Sequence, residues 1–176
     1  MTWATEQPAY IAPAGTTIGH VHLRVADLNR AITFYCGVLG FQVQARIGDD
    51  AAFLGAPMAG EDGTIYHHHI GLNTWTSRGG KPPAPGHTGL YHAAILYPSR
   101  ADLAGAVRRV VEAGIPLSGA TDHGISEAVY LDDPDGNGIE LYHDRVPEDW
   151  PRDARGALKM ARRPLDVNAL LSDAAT

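Results

Sequence analysis

"TIGHVHLRVADLNRAITFYCGVLGFQVQARI", residues 17–47, changes its hydrophobic period twice. Val21, Leu23 and Val25 alternate with His20, His22 and Arg24, which is the period of two of a half-buried strand. Asp27 is placed to cap a helix. Behind it, Leu28, Ala31, Ile32, Tyr35 and Leu39 keep the three-and-four spacing of an amphipathic helix. Gly40 suits the helix stop, and "FQVQARI" reads as a strand again. "AAFLGA" and "IYHHHIGLNTW" supply two more strands, so residues 16–75 predict the order βαβββ.

The order then repeats. Residues 76–87 are a linker rich in Gly and Pro. In residues 88–145, "LYHAAILY" predicts a strand, and Ser99 with Asp102 a helix cap. Leu103, Ala106, Val107, Val110 and Val111 line one helix face, and Gly114 ends it. Short strands are expected near residues 116–120, 126–132 and 138–143. His20 and His92 lie 72 residues apart, and His69 and Glu140 lie 71 apart, as an internal duplication requires. Residues 1–15 read as an N-terminal arm, and 146–176 as a tail whose Val167, Leu170 and Leu171 dock a short helix.

A net charge of −6 over 176 residues gives no basic surface for nucleic acid or an anionic membrane. No apolar run approaches the ~20 residues that span a bilayer. The N-terminus shows no signal-peptide pattern. The single cysteine, Cys36, precludes an intrachain disulfide, and a reducing, cytoplasmic setting is expected. Cys36 is expected to pack in the core with no redox role. The conspicuous residue is histidine, with nine copies.

Strand parity sorts the polar residues. The face of each strand that packs its own helix must be apolar. That places His20 and His22 opposite Val21, Leu23 and Val25, and His92 opposite Tyr91, Ala93 and Ile95. Tyr130 falls opposite Val129 and Leu131, and Glu140 opposite Ile139 and Leu141. In the triple histidine, Ile70 and Leu72 put His67 and His69 on the non-helix face and turn His68 to the helix side. If the two sheets meet edge to edge and curl, these faces line one cleft. The bland alternative is a set of solvated polar residues on an open sheet. Two imidazoles and one carboxylate from separate strands suit a divalent metal with three open positions, as in non-haem Fe(II) oxygenases. A closed thiolate zinc site is excluded by the lone cysteine.

"GHVHL", "YHAAI" and "GIELY" on paired modules resemble the vicinal oxygen chelate superfamily of glyoxalases, bleomycin-resistance proteins and extradiol dioxygenases. The resemblance covers residues 16–145. It implies an α+β fold in which two paired βαβββ modules form a curled mixed sheet around a metal cleft. It also implies His20, His92 and Glu140 as metal ligands, with His22 competing for the first position. "DHGISEAVYLDDPDGNGIELY" resembles the extradiol dioxygenase signature through His123, Tyr130 and Glu140. "HHIGLN" resembles the His-His strand of catechol 2,3-dioxygenases, which assigns His69 as acid–base.

What the resemblance implies is extradiol cleavage of a catechol-type diol by O2 at Fe(II), with Mn(II) as second candidate. His123 and Tyr130 would hydrogen-bond the bound diol. His67 and His68 would be structural, and His87 and His143 surface residues. The implied partners are a small aromatic diol and O2 and, as a homo-oligomer, further copies of the chain, with no nucleic acid or membrane. Glyoxalase-type members use a fourth ligand at the position of His69, which keeps a four-ligand site open. The competing functions are a Lewis-acid isomerase, lyase or epimerase, and a metal-free binding module.

Overall fold

The expected alternation forms β1 (Val21–Arg24), in which Leu23 is buried while His22 and Arg24 are exposed. The computed structural model describes residues 10–60, 62–84 and 86–174; residues 1–9 of the expected N-terminal arm lie outside them. Asp27 caps α1 (Leu28–Ile32) by accepting from the Arg30 amide. The helix continues as a wider π-helical stretch, Thr33–Val38. That wider turn buries Phe34 beside Tyr35, which a regular amphipathic spacing does not foresee.

β2 (Gln42–Ile47), β3 (Ala51–Gly55) and β4 (Ile70–Asn73) complete a four-stranded sheet in the order β1-β4-β3-β2, with β1 and β4 parallel. Gly71 faces His22 across that parallel pair. A Cβ there would lie 2.8 Å from the imidazole, so only glycine admits the ring.

The second module contains β5 (Ala93–Leu96), α2 (Arg100–Glu112), β6 (Leu117–Asp122), β7 (Ser126–Asp132) and β8 (Gly138–Asp144). Ser99 caps α2 by accepting from the Asp102 amide, as the sequence predicts. The α+β class and both βαβββ modules are as expected. The strands, however, form two separate sheets rather than one curled sheet. The second has five strands, β5-β8-β7-β6-β9, because the tail adds β9 (Arg163–Pro164) along β6. The tail then forms α3 (Val167–Ser172), whose Leu170 is fully buried, with Val167 and Leu171 half-buried beside it.

One core joins the two modules, running from Val25, Tyr35 and Leu72 to Val107, Val129 and Leu141. Truncating a fully buried leucine such as Leu141 to Ala costs about 2–5 kcal/mol. Polar contacts hold the modules together as well. The buried Tyr35 hydroxyl donates to Asp133 Oδ2 at 2.9 Å, and Asp135 Oδ1 accepts from Arg30 and from the Ala26 amide. Arg109 donates to the Val38 and Gly37 carbonyls, satisfying the end of the π-helical stretch. Among the described residues no helix is long and apolar enough to cross a membrane.

Candidate functional site

The second sheet carries a continuous polar line. Tyr130 and Glu140 are direct cross-strand partners on β7 and β8, and His92 immediately precedes β5, which pairs with β8 in parallel. His92 Nε2 lies 2.9 Å from Glu140 Oε2. The Tyr130 hydroxyl donates to Glu140 Oε1 at 2.8 Å, and His123 Nε2 is 2.8 Å from the same hydroxyl. His123 Nδ1–H donates to the Ala161 carbonyl at 3.1 Å. Gly138 lets the chain close here, because a Cβ on it would strike the Tyr91 carbonyl oxygen at 2.3 Å.

Hydrogen-bond roles in this line follow from what each atom can do. An ionised carboxylate only accepts, so the Tyr130 proton goes to Glu140. His123 Nε2–H must then donate to the Tyr130 oxygen. The Ala161 carbonyl also only accepts, so His123 Nδ1 faces a second hydrogen-bond acceptor. Burial, reinforced by the Glu140 hydrogen bond and charge, raises the Tyr130 hydroxyl well above its ordinary pKa. Tyr130 therefore works as a neutral donor. Of this line, His92 and Tyr130 face a cleft of about 420 Å³, whose wall also includes Tyr91, Ser118, Thr121 and Arg162.

The first sheet carries a separate cluster. His20 precedes β1, and its ring lies 4.4 Å from that of His68. His68 also meets Phe53 edge-on, and His22 stands between Phe53 and Trp75. This corrects the parity assignment of the triple histidine: His68, expected on the helix side, faces His20. His69 instead lies against Tyr66 and Phe41, and its Nδ1 accepts from the Ala56 amide. The cause is local. Residues 65–66 pair antiparallel with residues 56–57 just beyond β3, the register shifts by two residues before Ile70 pairs with Leu54, and regular alternation begins only there. Burial first, then the neighbouring imidazoles, lowers the pKa of His68; burial and His67 lower that of His69.

The expected ligands are thus brought together only in part. His92 and Glu140 meet on the second sheet, and His20 meets His68 on the first. Among the described residues no three His, Cys, Asp or Glu side chains converge on a point that could hold a metal. His87 is exposed, as expected, and so is His67, expected to be structural; His143, expected at the surface, is half-buried, its Nδ1–H donating to the Tyr97 carbonyl. Burial raises the Cys36 thiol pKa, in keeping with a packed, unreactive side chain. Two participants escaped the sequence reading, the Ala161 carbonyl and Arg162. A backbone acceptor leaves no residue signature, and nothing in the tail's pattern pairs it with β6.

The profile of the Glyoxalase/Bleomycin resistance protein/Dioxygenase superfamily matches residues 17–141. The chain belongs to this superfamily. It is 42% identical over 159 residues to a protein of Bacillus subtilis named Catechol-2,3-dioxygenase, a match covering 90% of this chain and 52% of that protein. It is 32% identical over 85 residues to Biphenyl-2,3-diol 1,2-dioxygenase 3 of Rhodococcus globerulus, covering 47% and 45% of the two chains. The chain thus spans about half the length of the curated relatives it matches. The fold is shared with a glyoxalase/dioxygenase of Nostoc punctiforme, with a TM-score of 0.58 and 23% identity over 80% of this chain and all of that one.

Proposed function

We propose that this superfamily member carries an extradiol site that opens the ring of a catechol-type diol with O2. The observation that carries this proposal is the line His92–Glu140–Tyr130–His123 beside an open cleft, in a chain similar to a protein named Catechol-2,3-dioxygenase.

His92 and Glu140 suit a divalent metal, since an imidazole nitrogen and a carboxylate oxygen stand 2.9 Å apart. His20 is the third proposed ligand; it lies on the first sheet beside His68, apart from His92 and Glu140. Bound there, Fe(II), or Mn(II) in its place, would supply the charge that holds a diolate and an open position for O2. The protein's own groups supply the proton traffic. Tyr130 donates to Glu140 and fixes that carboxylate's orientation. His123 hydrogen-bonds the Tyr130 hydroxyl, which lines the cleft and through which a proton can be relayed to a substrate oxygen. On the first sheet His68, whose ring meets that of the proposed ligand His20, takes the acid–base role assigned to His69 from the sequence.

The test is anaerobic loading with Fe(II) followed by oxygen-electrode readings with a panel of catechols, with Glu140→Ala as control. Rapid uptake by the wild type and none by the variant is expected. Absence of uptake by iron-replete wild type with every catechol would overturn the proposal.

A further inference from the structure

We propose that the tail completes the substrate cleft, and that Arg162 binds an anionic substituent, a carboxylate, on the diol. This inference rests on the diol-cleaving function proposed above and narrows its substrate class.

Backbone bonds on either side fix the residue. Pro164 pairs with Thr121 and Arg163 with Asp122 along β6. The Ala161 amide donates to the His123 carbonyl at 2.8 Å, and the Leu165 amide to the Ala120 carbonyl. His123 Nδ1–H closes the clasp on the Ala161 carbonyl. Arg162 is thereby held between two anchored neighbours, and its side chain lines the cleft together with His92 and Tyr130.

Two neighbouring arginines are held in ion pairs. Arg145 binds Asp122 and Glu127, Arg100 binds Glu127 and Asp173, and the charge of Arg163 acts on Asp122. Arg162 forms no ion pair with a carboxylate among the described residues. A guanidinium fork at the mouth of a cleft matches a carboxylate bidentately. The Ser118 and Thr121 hydroxyls on the same wall add donors. Asp132, the acid that also lines the cleft, sits at the far end of the β6–β7 ladder from the Asp122–Glu127 pair that borders β9. A charged substituent therefore has a favourable end to occupy.

The test compares anaerobic binding of catechol, 2,3-dihydroxybenzoate and 3,4-dihydroxybenzoate to Fe(II)-loaded protein by calorimetry. Arg162→Gln should lower the affinity ratio of the preferred dihydroxybenzoate to catechol by about tenfold, and Arg162→Lys by less. The wild-type ratio should also shrink as ionic strength rises, as for a solvent-accessible ion pair. Circular dichroism and iron content confirm that each variant is folded and loaded. An unchanged ratio in Arg162→Gln, or a wild type that binds catechol but neither dihydroxybenzoate, overturns this inference alone. Failure of the wild type to bind catechol as well overturns the diol-cleaving function with it.

Discussion

Replacing Tyr35 with Phe removes a single oxygen atom from the centre of the molecule. That hydroxyl is fully buried and donates at 2.9 Å to Asp133 Oδ2, itself only 5% exposed, from the first module into the second. Burial and the Asp133 charge push the phenol far above its ordinary pKa, so it is a neutral donor at any pH the protein survives. The ring and its packing remain in the variant, and Asn137 Nδ2 still donates to the same carboxylate oxygen. The loss is therefore one hydrogen bond to a charged acceptor, about 1.5–3 kcal/mol. For a chain of this size that corresponds to a Tm lower by about 3–12 °C. Urea unfolding should show a lower midpoint with an unchanged slope, because the same surface is exposed. A double-mutant cycle with Asp133→Asn should return most of the loss as coupling energy. A loss under about 0.5 kcal/mol, or additive effects in the cycle, would refute the claim that this contact clamps the modules.

Other outcomes follow from the site. Glu140→Gln keeps the shape of the side chain but removes its charge; bound iron, measured after anaerobic dialysis, should fall by about tenfold or more. His68→Ala should lower kcat for ring cleavage by about 100-fold or more, while His69→Ala should cost far less; the reverse order in steady-state kinetics would restore the assignment made from strand parity. The lowered pKa values of His68 and His69 set a pH dependence. The folded state disfavours their protonation, so their contribution to stability is present above the unfolded value of about 6.5 and is lost as pH falls below it. The urea midpoint of metal-free protein should drop from pH 8 to pH 5.5, and drop less in a His68→Gln, His69→Gln double variant.

Much of this architecture is legible one strand or one helix turn at a time. The alternation at Val21–Val25, the Asp27 and Ser99 caps, and the grouping of His92, Tyr130 and Glu140 all depend on spacing within a regular element, which sequence states directly. The failures occur where regularity stops. Parity carried backwards from Ile70 misassigned His68 and His69, because the pairing with β3 and its extension shifts by two residues between Ile65 and Ile70. Phe34 is buried by a π-helical turn that changes the period in mid-helix. Asp133 lies in the turn between β7 and β8, accepting from the Asn137 amide. That it also accepts from Tyr35, 98 residues away in sequence, is a tertiary fact with no local trace. The same holds for the pairing of Arg163 and Pro164 with β6.

β9 has consequences for motion. A ladder of two residues, one of them a proline with no amide hydrogen, is among the easiest parts of a sheet to open. The amides of Ala161 and Leu165 should therefore exchange with solvent earlier than those of β7, which lies inside the sheet. When β9 lifts, the Ala161 carbonyl leaves His123 and Arg162 leaves the cleft in one event. An occupant held by Arg162 would bind only the closed form and slow that exchange in proportion to its concentration. The peeling of a two-residue strand and the occupancy of the cleft would then be one linked equilibrium.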